Sequence, residues 1–146
     1  MFKKTQKKLS ILLALCLIIS LFSLTEFSAN EIMPQYNNMI DATINTSVDD
    51  EGLLRIQYSC IGYSGITTKI VMTTYVEKKT LGLFWTRIDL GNSEDEWIHT
   101  IKSYQYIGPR YLSLPSKGTY RITVTYTVYG SGGSSDEITR QNTITY

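Results

Sequence analysis

Apolar and polar side chains alternate almost without break through residues 117–130, KGTYRITVTYTVYG. Tyr120, Ile122, Val124, Tyr126 and Val128 fall on one side of an extended chain, and Arg121, Thr123, Thr125, Thr127 and Tyr129 on the other. A period of two sends successive side chains to opposite faces of a strand. The stretch therefore predicts a strand with one face on a core and one in water. Other stretches carry the same signal. NMIDATINTSV places Ile40, Ala42, Ile44, Thr46 and Val48 in phase and ends on the turn DDEG. LLRIQYSCIGY does the same with Leu54, Ile56, Tyr58 and Cys60, and TTKIVMTTYVEKK with Ile70, Met72 and Val76. LFWTRIDLG follows a short TLG turn, EWIHTIKSYQYI forms a fifth strand, and DEITRQNTITY a last one after the loop GSGGSS.

No segment has a helical period. Strands recur at about ten-residue spacing with turns between them, which predicts an all-β, antiparallel sandwich of about seven strands. Its topology is expected to be immunoglobulin-like. Gly118 and Tyr120 open the penultimate strand in the manner of a tyrosine corner, where a tyrosine near the strand start returns its hydroxyl to the preceding backbone. Trp85, in the fourth predicted strand, is the candidate core aromatic.

The N-terminus changes the picture of where such a domain works. Lys3, Lys4, Lys7 and Lys8 precede an apolar run from Leu9 to Leu24, followed by small and polar residues. That order is a secretory signal peptide, and the run, broken by Ser10, Ser20 and Ser23, is short for a spanning helix. Cleavage is expected after Ala29, with Thr25 as the alternative. The chain divides into a signal segment, 1–29, and a single β-sandwich domain, 30–146, that is secreted. Cys16 lies in the removed part, and Leu15 before it does not suit a lipoprotein signal. Cys60 is then the only cysteine, and its phase with Ile56 and Tyr58 makes it a small core residue.

Charge and residue supply narrow the function. Four lysines and Glu26 leave with the signal, from totals of 14 basic and 13 acidic residues, so ten basic and twelve acidic groups remain and the net charge is −2. That balance, without a basic stripe, argues against nucleic acid and against anionic lipid surfaces as partners.

The lysine-rich start, GITTKIVMTTYVEKK, the tryptophan that follows it and KGTYRITVTYTVYGSGG with DEIT together resemble a family of small secreted proteins of Gram-positive bacteria. That family is of unknown function. The resemblance spans about residues 38–146 and implies secretion and an immunoglobulin-like sandwich. It implies no catalytic or binding residue.

Candidate chemistry is sparse. His99 is the single histidine, and it reads as a strand-surface residue rather than a member of a nucleophilic triad. One histidine and one cysteine do not make a zinc site. The acids Asp49, Asp50 and Glu51, and Glu94, Asp95 and Glu96, read as solvated turns, with calcium binding or acid-base hydrolysis as the sharper alternatives. No cofactor is expected. The aromatics are the most suggestive feature. Trp97, Tyr104, Tyr106 and Tyr111 crowd one segment beside Arg110, in the style of a recognition surface. They predict a binding or interaction module for a cell-wall or surface glycan or for another extracellular protein, rather than an enzyme. The alternative is a secreted effector or toxin-like protein acting through oligomerisation or at membranes.

Overall fold

Alternation becomes eight antiparallel strands in the computed structural model, which describes residues 35–146. The expected signal segment, Cys16 and the expected cleavage points lie outside the described residues. The strands are β1 (Met39–Val48), β2 (Leu53–Gly62), β3 (Thr67–Thr80), β4 (Phe84–Arg87), β5 (Trp97–Ile101), β6 (Gln105–Ser113), β7 (Thr119–Gly130) and β8 (Asp136–Thr145). No helix occurs among the described residues.

One sheet runs β1-β2-β6, and the other β4-β3-β7-β8 with β5 also on the outer side of β3. In order and pairing, β1, β2 and β6 correspond to strands A, B and E of an immunoglobulin-like sandwich, and β3, β7 and β8 to C, F and G. The inward face of each sheet supplies the core. Leu54, Ile56, Tyr58 and Cys60 of β2 oppose Ile70, Met72 and Val76 of β3 and Tyr120, Ile122, Val124, Tyr126 and Val128 of β7, all buried. Gln35–Tyr146 form one compact unit, and Leu90 and Leu114 from the connections complete the core that its strands supply.

The corner at the start of β7 has a specific geometry. The Tyr120 hydroxyl donates to the Ser116 carbonyl at 2.5 Å. Gly118 sits there at φ 153°, where a Cβ would lie 2.7 Å from the Lys78 side chain. Its N–H donates to the Tyr146 carbonyl at 3.0 Å and its carbonyl accepts from the Tyr146 N–H at 2.9 Å, which ties down the end of the chain.

Three expectations change. The predicted fifth strand is two strands, β5 and β6, and the chain crosses between sheets at Lys102–Tyr104. Neither glycine nor proline marks that crossing. They sit instead inside β6, as Gly108 and Pro109, where an edge strand tolerates a missing N–H. In β1 a register shift between Met39 and Asp41 inverts the phase, so Met39 and Ala42 are buried while Ile40 is 53 % exposed. A bulge of this kind moves side chains to the opposite face. Trp85 is no core residue. It lies half-buried on the outer face of β4, with Arg121 4.4 Å and Lys79 5.6 Å from its ring centre.

Candidate functional site

The sandwich has two flanks where the edges of its sheets meet, and one of them is open. On that flank β5 stands beside β3, and β6 beside β2. Strand phase decides what faces the gap. In β5, Thr74 pairs with Trp97 and Met72 with His99. In β6, Ile56 pairs with Arg110, Tyr58 with Gly108 and Cys60 with Tyr106. Since Ile56, Tyr58, Cys60 and Met72 point inward, Trp97, His99, Tyr106 and Arg110 point into the same space.

The result is a cavity of about 210 Å³, with Tyr58, Met72 and Thr74 at its base and Trp97, His99, Tyr106, Pro109 and Arg110 around it. At ~30 Å³ per water it has room for several waters, or for one sugar ring or side chain. Gly108 helps to shape it. A Cβ at that position would lie 2.7 Å from the Tyr106 hydroxyl oxygen and 2.9 Å from the adjacent ring carbon, so the Tyr106 ring rests over the bare glycine backbone.

Two contacts cross from sheet to sheet at the mouth. The Arg110 guanidinium lies 3.9 Å from the centre of the Trp97 ring, and the His99 and Tyr106 rings are 5.3 Å apart at 56°. Trp97 is fixed from behind, because its indole N–H donates to the Leu90 carbonyl at 3.2 Å. At the base, the Tyr58 and Thr74 hydroxyls share a hydrogen bond of 3.2 Å. Burial raises the Tyr58 phenol above its ordinary pKa, against the lowering effects of the Thr74 hydrogen bond and the Arg110 charge. Tyr58 therefore stays a neutral hydroxyl at physiological pH. Arg110 has neither a carboxylate partner nor a hydrogen bond among the described residues. The site thus offers flat aromatic faces, neutral hydroxyls and one unspent cation, and its lining holds no carboxylate.

Of the predicted site residues, Trp97, Tyr106 and Arg110 converge here. Tyr104 and Tyr111 do not. Tyr104 stands on the crossing segment, where its carbonyl accepts from the Gly62 N–H at 2.7 Å. Tyr111 pairs with Arg55 on the outer face and is 52 % exposed. His99, Tyr58, Thr74, Met72 and Pro109 were missed. The signal for His99 was present as its phase with Trp97, two residues away.

The acidic turns have separate local roles. Asn92 organises the second: its side-chain oxygen accepts from the N–H groups of Glu94 and Glu96, each at 3.2 Å. Glu96 pairs with Arg87 at 2.8 Å. Asp49 accepts from the Leu53 N–H at 2.7 Å, closing the β1–β2 turn. Among the described residues no three His, Cys, Asp or Glu side chains converge. No protein-family model and no curated protein sequence matches the chain. Cys60 is buried and without a disulfide partner among the described residues, and its thiol is pushed up to about 12, first by burial and then by the charge of Asp41.

Proposed function

We propose that the protein is a secreted binding module that takes an acidic surface glycan into the cavity between β5 and β6. The observation that carries this reading is convergence. Trp97, Tyr106 and Arg110 come from strands of different sheets and meet around one concave space, together with His99. Aromatic faces stack on the apolar faces of sugar rings, while Tyr58, Thr74 and Tyr106 supply hydroxyls for orientation. Arg110 selects the acidic member of the class. A guanidinium forms two parallel hydrogen bonds to a carboxylate, and stacking on Trp97 holds its plane in place before ligand arrives. Secretion rests on the lysine-rich start and apolar run, and the resemblance to small secreted Gram-positive proteins on the motifs quoted above.

The test is co-sedimentation of the purified protein with isolated peptidoglycan and with matched carboxylated and neutral polysaccharides. Binding to a carboxylated polymer, lost in Arg110→Ala and Trp97→Ala and kept in Tyr111→Ala, is the expected result. Retention of full binding by Arg110→Ala and Trp97→Ala would put the ligand elsewhere.

A further inference from the structure

A second surface stands apart from the cavity, at the hairpin between β3 and β4. Leu81, Leu83 and Phe84 are 85, 76 and 63 % exposed. Single exposed apolar residues are ordinary, but a contiguous apolar point on a small domain marks a contact surface. The backbone adds an independent observation. Leu81 and Gly82 both have left-handed φ, 51° and 70°, and the Leu83 N–H donates to the Thr80 carbonyl at 3.1 Å. Two consecutive residues of that kind are what a type I′ turn requires, and its first position favours Asn, Asp or Gly. A leucine there gives up turn preference, and at its exposure it gains no burial within the fold.

We infer that this tip is a membrane-contact element that enters the headgroup layer of an anionic bilayer. Charge complementarity chooses that occupant. Behind the apolar point come Lys78, Lys79 and Trp85. Arg121 is paired with Glu77 at 2.7 Å and Arg87 with Glu96 at 2.8 Å. Lys78 and Lys79 have no carboxylate partner among the described residues. Lys78 donates to the Ser116 hydroxyl at 2.5 Å, and Lys79 lies 5.6 Å from the Trp85 ring centre. Lys79 and Trp85 are register partners, so indole and ammonium stand side by side behind the apolar tip, the pairing of groups that suits the interface of a bilayer whose acyl boundary takes the tip. Whole-chain charge argues against such a surface, but attraction to lipid acts within a Debye length and so depends on local charge. The acidic β1–β2 turn belongs to the other sheet, so the hairpin, rather than the whole end of the sandwich, meets the bilayer.

The Gln35–Tyr146 unit is the material to test, because it is a compact unit with a hydrophobic core and the apolar run Leu9–Leu24 would itself partition into lipid. It is sedimented with vesicles of phosphatidylcholine alone and of phosphatidylcholine with phosphatidylglycerol. Binding to the anionic vesicles only is expected. Leu81→Asn should weaken it by about tenfold, from the lost burial of one leucine, while raising Tm because Asn suits the turn. Lys79→Glu should weaken it without the rise in Tm. Neither change should affect polysaccharide binding at the cavity, so this inference and the proposed function fail separately. Absence of binding to anionic vesicles overturns the inference. So does equal binding by the wild type and Leu81→Asn, or self-association that Leu81→Asn abolishes in the absence of lipid.

Discussion

The two flanks of the sandwich use the same kinds of side chain to opposite ends. On the β1/β8 flank, polar and charged groups complete the backbone. The Asp136 carboxylate accepts from the N–H groups of Asn37, Asn38 and Met39 at 3.0, 2.5 and 2.9 Å. Arg140 donates to the Ala42 carbonyl at 2.7 Å, and the Tyr126 hydroxyl to the Thr43 carbonyl at 2.7 Å. Each of those contacts joins β8 or β7 to β1 or to the residues just before it. On the β5/β6 flank, Trp97, His99, Tyr106 and Arg110 face one another across a gap, and the Arg110 guanidinium lies over the Trp97 ring. The first flank closes the sandwich; the second leaves a lined cavity. A cation whose hydrogen-bond donors find no partner among the described residues is a better pointer to a ligand than an aromatic residue, which packs equally well in a core.

This contrast predicts effects of different size and kind. The largest belongs to the closed flank. Asp136→Ala strands three backbone donors, two of them in buried residues, and should cost about 3 kcal/mol or more, read as a fall in urea midpoint. Ligand affinity of the molecules that remain folded should be unchanged.

The next effect is alkaline destabilisation of the core between the flanks. The Cys60 thiol is raised to about 12 in the fold, whereas an unfolded thiol ionises near ~8.5. The neutral form is the one the fold favours. Its contribution is therefore complete below about pH 8.5 and is lost as pH climbs towards about 12. Tyr58 and Tyr126, both raised mainly by burial, add to the loss above about pH 10. Urea midpoints taken on either side of about pH 9 should fall with pH, and Cys60→Ala should flatten the first part of that fall.

Smaller still is Gly108→Ala on the open flank. The added methyl group must push the Tyr106 ring, a movable side chain, into the cavity. Stability should move by no more than about 1 kcal/mol, while affinity for a carboxylated polysaccharide drops several-fold in the sedimentation titration. Tyr111→Ala, on the outer face, should change neither quantity measurably.

Strand faces were legible wherever alternation was strict and long. β2, β3 and β7 bury the residues that their phase indicates, and Gly118-x-Tyr120 indicates the corner. The failures have local causes. A bulge cannot be seen in a pattern that continues on both sides of it, so Ile40 was placed inward and Met39 overlooked. β4 has four residues, too few to fix a phase, which left Trp85 on the wrong face. The crossing at Lys102–Tyr104 is made by residues with no turn signature, while Gly108-Pro109 carries one and stays extended. The cavity was legible in part for the same reason. Trp97, Tyr106 and Arg110 could be grouped by nearness in sequence, but that grouping also drew in Tyr104 and Tyr111. The division of the segment between two sheets, together with the phase of each strand, separates the residues that converge from those that do not. Tyr58 and Thr74 come from distant strands and have no sequence signal linking them to the site.

The proposed role of the open flank is a binding site with Arg110 as its selecting cation. The direct measurement is affinity for a carboxylated polysaccharide and its neutral counterpart, for the wild type and Arg110→Ala, with Tm recorded for both. Preference for the carboxylated polymer, a loss of about tenfold or more in Arg110→Ala, and an unchanged Tm are expected. Equal binding of the two polymers by the wild type, or undiminished binding by Arg110→Ala, would contradict that role.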